Sequence, residues 1–249
     1  MIQQIKAIDM HSHINHGNSL DVEEKDWYSA QPSYILEMNK TALIERTVCC
    51  PYAGGLHREA IEESNSFLYD FVKKEESLFQ WVIIDPENDN TFVQAQKMLK
   101  SPKCVGIKLL PSNHRYELEE WGEKIFTFAS MYRTAVLIHP KADADYILPF
   151  ADRYPDVKFI LAHIWGKPHV DAVEYSKYGN VYVDTSGSAS LQNGIIEYAV
   201  GRVGSERILF GTDTYAAGAQ RGRIDYARIS DEDKFNILRG NAMRLFGWD

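Results

Sequence analysis

The sequence predicts an α/β chain folded as a closed (β/α)8 TIM barrel, and three observations predict it. The chain has 249 residues, 45% of them hydrophobic and 25% charged, which fits one soluble globular domain over residues 1–249. A short apolar run, a polar loop and a helix-like stretch then recur in that order at intervals of about 30 residues, as eight βα units of a barrel require. Finally, the apolar runs are continuous instead of alternating, which suits strands covered on both faces.

The runs are Ile5–Met10, Thr47–Cys50, Phe79–Ile84, Cys104–Leu110, Ala135–Ile138, Lys158–Ala162, Val181–Val183 and Arg207–Phe210. Val, Ile, Leu and Phe dominate them, as expected for strands. Between them, Ala60–Lys74 places Ile61, Phe67, Leu68, Phe71 and Val72 on one helical stripe, and Trp121–Tyr132 and Ile229–Leu245 read the same way. Ser230 with Asp233 three residues later reads as a capping box opening the last helix. No linker, low-complexity tract or repeat of residues interrupts the pattern. An open doubly wound sheet is the alternative. It would normally carry a Gly-rich phosphate loop after an early strand, and here the first strand runs into His-Ser-His.

Composition excludes several classes. A net charge of −8 argues against nucleic-acid and anionic-membrane partners, which need a basic face. No apolar stretch reaches the roughly 18 residues of a membrane span. The start has neither the basic nor the apolar region of a signal peptide. Three cysteines, Cys49, Cys50 and Cys104, make no disulfide framework. The expectation is a cytoplasmic protein acting on a small molecule, with room for a homo-oligomer.

In such a barrel the active site lies at the C-terminal ends of the strands. Asp9, His11 and His13 stand at the end of strand 1, Lys108 on strand 4, His139 after strand 5, His163 after strand 6 and Asp213 after strand 8. Side chains two apart on a strand point the same way, so His11 and His13 can present two imidazoles to one ion. Imidazole and carboxylate donors suit zinc first, with manganese or iron also compatible.

IDMHSH at 8–13, GIKL at 106–109, LIHP at 137–140, LAH at 161–163, DTSG at 184–187, FGTD at 210–213 and NAMRLF at 241–246 together resemble the amidohydrolase superfamily. The closer resemblance is to the branch of metal-dependent TIM-barrel hydrolases related to aminocarboxymuconate semialdehyde decarboxylase. It implies one divalent ion held by His11, His13, His139 and Asp213, with His163 beside the ion's water or the substrate oxygen. Binuclear members carry a carbamylated strand-4 lysine. The closer branch is mononuclear, so Lys108 is expected as a free amine that pairs with a carboxylate such as Asp9 or binds substrate.

The implied chemistry is attack of metal-activated water on a C–O or C–N bond, as in a lactone or amide, with Asp213 as proton shuttle and His163 as hydrogen-bond donor. Asp9 is expected to orient a histidine. Ser186 and Ser188 read as loop caps, since no GxSxG elbow occurs. Trp165, Arg221 and Arg223 lie in the loops after strands 6 and 8, where Arg could clamp a substrate carboxylate. Trp27 and Tyr28 in the loop Ile14–Pro32 suggest a lid. A metal-dependent, non-oxidative decarboxylase of a small unsaturated or aromatic carboxylic acid is the first alternative, and a non-catalytic ligand-binding barrel the second.

Overall fold

The computed structural model describes residues 5–15, 31–139, 141 and 143–248. Eight parallel strands form one sheet in strict chain order: β1 (Ala7–Ile14), β2 (Ile44–Pro51), β3 (Leu78–Ile83), β4 (Cys104–Leu109), β5 (Ala135–Ile138), β6 (Lys158–Leu161), β7 (Val181–Asp184) and β8 (Ile208–Leu209). That order has no reversal, so the doubly wound alternative is excluded. Each expected apolar run falls on a strand.

The helices are α1 (Pro32–Thr41), α2 (Tyr52–Leu56), α3 (Ile61–Val72), α4 (Asp89–Met98), α5 (Pro111–His114), α6 (Leu118–Met131), α7 (Leu148–Arg153), α8 (Lys167–Tyr175), α9 (Ile195–Val203), α10 (Ala217–Asp225), α11 (Asp231–Phe235) and α12 (Asn241–Phe246). The expected capping box opens α11: Ser230 Oγ accepts from Asp233 N at 3.1 Å, and Asp233 Oδ2 accepts from Ser230 N at 3.2 Å. The single helix expected over Ile229–Leu245 is interrupted by a π-helical turn, Asn236–Gly240. Among the described residues no helix is long and apolar enough to cross a membrane.

Apolar side chains fill two layers. Ile8, Met10, Val48, Trp81, Leu137, Ile160 and Leu209 pack inside the barrel, and a larger cluster lies between the sheet and the helices. Trp81 is fully buried and its indole N–H donates to Met10 O at 2.8 Å. Gly106 makes room for that ring, since a Cβ there would lie 2.5 Å from the indole and 2.3 Å from Ala135 O. Cys49, Cys50 and Cys104 are buried free thiols. Burial pushes Cys50 and Cys104 up to about 12, so they act as small apolar fillers.

Two features position the site. The β1–β2 register shifts between Asp9 and Ser12. Ile8 and Met10 therefore belong to the apolar interior while His11 and His13, one residue out of phase, occupy the mouth. The β8–β1 seam is closed by individual hydrogen bonds: Met10 N to Phe210 O at 2.8 Å, and Thr212 N and Asp213 N to His11 O at 3.1 and 2.7 Å.

The structure corrects the expectation for Arg221. Its guanidinium lies at the opposite end of the barrel from the mouth, donating to Ala42 O and Leu43 O at 2.9 Å and Ile5 O at 2.7 Å, with Nε on Asp225 at 2.9 Å. Those carbonyls precede β1 and β2. Leu43 O also accepts from Ala7 N at 2.9 Å, whereas Ala42 O and Ile5 O take their donors from the five-donor guanidinium, which satisfies them. Arg221→Ala should cost about 3 kcal/mol by stranding them, read as a Tm lower by roughly 6–12 °C, with metal binding unchanged. A Tm within about 1 °C of the parent would remove this assignment.

Candidate active site

The strand-end residues converge at the mouth. His11 Nε2, His13 Nε2 and Asp213 Oδ1 face one another, with the carboxylate oxygen 3.6 Å from the first and 3.0 Å from the second. The three donors fall within 4.8 Å of one another, a spacing that could hold a metal ion. The His11 and His13 rings lie 5.3 Å apart, as the His-x-His spacing requires of a shared face. Asp213 follows β8 in the left-handed region (φ 56°), which turns its side chain back over β1.

Asp184, at the end of β7, builds the layer beneath. Its Oδ2 accepts from His11 Nδ1 at 2.8 Å. Its Oδ1 accepts from His163 N at 3.0 Å, Ser186 N at 2.8 Å and Ser186 Oγ at 2.5 Å. Because a carboxylate only accepts, His11 carries its proton on Nδ1 and turns the Nε2 lone pair to the mouth. Lys108 Nζ stands 3.0 Å from that Nε2, with the lysine fully buried. One lone pair serves either the lysine or an ion. The donor set therefore fits a divalent cation, with Lys108 as the group that gives way. Lys108 does not pair with Asp9, contrary to one expectation.

Asp9, expected to orient a histidine, touches the His11 backbone and no imidazole. Its Oδ1 accepts from the backbone N–H of His11 and of Thr212, both at 3.0 Å, and its Oδ2 from Thr212 Oγ1 at 2.6 Å. It therefore orients the His11 backbone and ties β1 to the segment after β8. Burial pushes it up to about 7. Burial also opposes the charges of Asp184 and Asp213. The His11 imidazole and its hydrogen bond outweigh that at Asp184, and the His13 hydrogen bond and neighbouring imidazoles do so at Asp213. Both carboxyls are held well below the usual range. Burial, then the charge of Lys108, pushes His11 down to about 4 and His139 to about 3. Both imidazoles are neutral near pH 7, the state in which His11 could serve as a metal ligand.

His163 faces the same group from the other side. Its Nε2 is 3.9 Å from Asp213 Oδ2, and its ring stacks on His11 with centroids 5.0 Å apart. Its Nδ1 lies 3.1 Å from Ser186 O and 2.9 Å from Ser186 Oγ. A carbonyl only accepts, so Nδ1 bears the proton and Nε2 faces the cleft. Gly187 closes over this pair at φ 76°, where a Cβ would lie 2.6 Å from His163 Nδ1 and 3.1 Å from Asp213 Oδ2. His139 packs edge-on against His163 at 5.0 Å and lines the cleft, beside rather than within the three-donor group.

The cleft encloses about 140 Å³. Tyr52, Leu56 and Leu110 give it an apolar wall, and no Arg or Lys is among its described lining residues. Tyr52 stands edge-on to the His13 ring at 6.0 Å. The expected clamp by Arg223 is corrected: its guanidinium donates to Thr185 O, Ser190 Oγ, Ser190 O and Gln220 Oε1. Trp165 does not line the cleft and packs edge-to-face on His169 at 5.9 Å. Trp27, Tyr28 and His16 lie outside the described residues. Sequence reasoning gave no role to Asp184 and read Ser186 as a loop cap. The signal available was an Asp closing an apolar strand, as at Asp9.

His169 is fully buried and pushed down by burial to about 4. It stays neutral in the folded chain while the unfolded chain takes up a proton below about pH 6.5. Stability from this group is complete above that pH and is lost on acidification towards pH 4. Its removal in His169→Phe should flatten the fall in unfolding free energy by about 1.4 kcal/mol per pH unit over that window. Denaturant unfolding at pH 7 and pH 5 reads it, and equal slopes for the two chains would refute it.

Residues 8–248 match the family model for Amidohydrolase. No curated protein matches the chain by sequence. Among solved structures the chain is similar to 5-carboxyvanillate decarboxylase from Sphingomonas paucimobilis, at 14% identity over 98% of this chain and 99% of that one (TM-score 0.75). It is also similar to a dihydroxybenzoic acid decarboxylase from a Polaromonas species holding manganese and the inhibitor 2-nitroresorcinol, at 18% identity over 98% and 97% (TM-score 0.72). A third is a proposed 2-pyrone-4,6-dicarboxylic acid hydrolase from Pseudomonas putida, at 17% identity over 99% of each chain (TM-score 0.76).

Proposed function

The chain belongs to the amidohydrolase family, and from that premise we propose that it is a metal-dependent decarboxylase of a small aromatic or unsaturated carboxylic acid. The carrying observation is Asp213, which turns one oxygen to His11 and His13 and the other to His163 across a cleft of single-ring size. A cavity of roughly 150 Å³ takes one benzene ring. The two decarboxylases that share the fold support the same direction over hydrolysis of a lactone or amide.

His11, His13 and Asp213 would hold the ion, and His139 lines the same cleft. Zinc and manganese both suit two imidazoles and a carboxylate. When bound, the ion supplies a Lewis acid that holds substrate oxygens and draws off developing negative charge. The chain's own residues do the rest. Tyr52, Leu56 and Leu110 solvate a carboxylate poorly and neutral CO2 well, which favours departure. The C–C bond breaks, its electron pair stays on the substrate carbon, and a proton must reach that carbon. His163 delivers it from Nε2, because Ser186 holds Nδ1. Asp213 Oδ2 stabilises the imidazolium before transfer, and solvent restores the proton afterwards.

Hydrolysis is the second reading, favoured by the similarity to the pyrone hydrolase. Hydroxylated benzoic acids and lactones supplied with manganese- or zinc-loaded protein in deuterium oxide separate the two. The expected result is CO2 release with one deuterium at the vacated carbon. His163→Gln should keep its metal and lose about 10²–10⁴ in kcat. Incorporation of solvent oxygen-18 without CO2 would establish the hydrolase instead.

A further inference from the structure

We propose that Arg223 is a positioning residue for His163, bracing the loop after β7 together with Gln220 and touching no substrate. Its catalytic consequence rests on the role assigned to His163 above.

The two side chains lie three residues apart on α10, on one face of the helix. Arg223 Nη1 donates to Thr185 O at 3.0 Å, Ser190 Oγ at 3.1 Å and Gln220 Oε1 at 2.8 Å, and Nη2 donates to Ser190 O. Gln220 Nε2 donates to Gly187 O at 3.2 Å. The loop is thus held at Thr185, Gly187 and Ser190, on both sides of Ser186.

Ser190 shows why a cation is needed. Its fully buried hydroxyl stands 2.8, 2.6 and 2.9 Å from the carbonyls of Thr185, Ser186 and Gly187. It has one proton for three acceptors. Arg223 supplies a donor to Thr185 O, Gln220 Nε2 supplies one to Gly187 O and His163 Nδ1 one to Ser186 O, and by donating to Oγ Arg223 leaves the hydroxyl proton directed at the carbonyls. Without it, buried carbonyls are left short of partners and the loop must move to find them.

Any such movement reaches His163 directly. Ser186 O and Oγ fix which ring nitrogen carries the proton, and Gly187 sits close over the ring. A loop shift frees Nδ1 and lets the proton move to Nε2 or the ring rotate. The misplacement costs turnover while leaving the ion donors His11, His13 and Asp213 in place.

The test uses zinc-loaded protein labelled with nitrogen-15 histidine, at one fixed pH, with His163 signals assigned by their loss in His163→Gln. The parent should show a protonated Nδ1 with a sharp N–H resonance. Arg223→Ala and Ser190→Ala should each shift or broaden that resonance at unchanged zinc content. Arg223→Ala should lower kcat by about 10²-fold and move KM by less than about threefold, and Arg223→Lys should restore part of both readouts. Unchanged His163 resonances in both alanine variants would overturn the brace. So would a large rise in KM at unchanged kcat, which would make Arg223 a substrate ligand. If no chain decarboxylates anything while the resonances shift, the functional reading fails and the brace stands. If Arg223→Ala does not fold, Ser190→Ala decides alone.

Discussion

The site depends on one buried carboxylate. Asp184 sits at the end of β7 with no exposure and receives four hydrogen bonds, from the His11 ring, the His163 backbone, and the backbone and hydroxyl of Ser186. An ion taken out of water is costly unless every lone pair is used. Here that requirement becomes a geometric instrument. The same interactions that keep Asp184 charged select the His11 tautomer, hold His163 at φ 61° and place the Ser186 carbonyl under His163. His11, which could hold a metal, and the proposed acid are thus aimed by one buried group.

The second constraint is the seam between β8 and β1. Ordinary strand pairing would place side chains by strict alternation, and alternation alone would send His11 to the face opposite Met10. The register shift in β1 relieves this. Trp81 caps the Met10 carbonyl nearby, and Asp9 and the His11 carbonyl bind the segment after β8. Irregularity and chemistry coincide at one place in an otherwise regular sheet, as barrels commonly arrange.

The barrel was legible because burial on both faces writes itself as continuous apolar runs, such as Val181–Val183, that need no knowledge of partners. The convergence of His11, His13, His163 and Asp213 was legible for a related reason, since strand ends of a barrel share one mouth. What stayed hidden was decided by reach. Arg221 and Arg223 are two positions apart on α10, yet one binds carbonyls before β1 and β2 and the other the loop after β7. Long, flexible side chains can serve either end of a barrel, and local sequence carries no mark of which. Asp184 was hidden differently: its partner His11 is 173 residues away, and only the closed ring brings them together. Asp9 was expected to orient a histidine, and it holds the backbone N–H of His11 and not its ring.

The π-helical turn at Asn236–Gly240 has a consequence for how the barrel ends. Widening the helix there breaks the usual i to i−4 sequence and releases the Ile237 carbonyl, which accepts from Phe210 N at 3.1 Å. Asn241 adds to this from the next turn, its amide donating to Ser205 O and Ile208 O, each at 2.7 Å. A strand of two residues thereby borrows a helix as its neighbour. The terminal helices are a stave of the barrel, fastened three residues before Asp213, and inserting or deleting a residue in that turn changes which carbonyl meets β8.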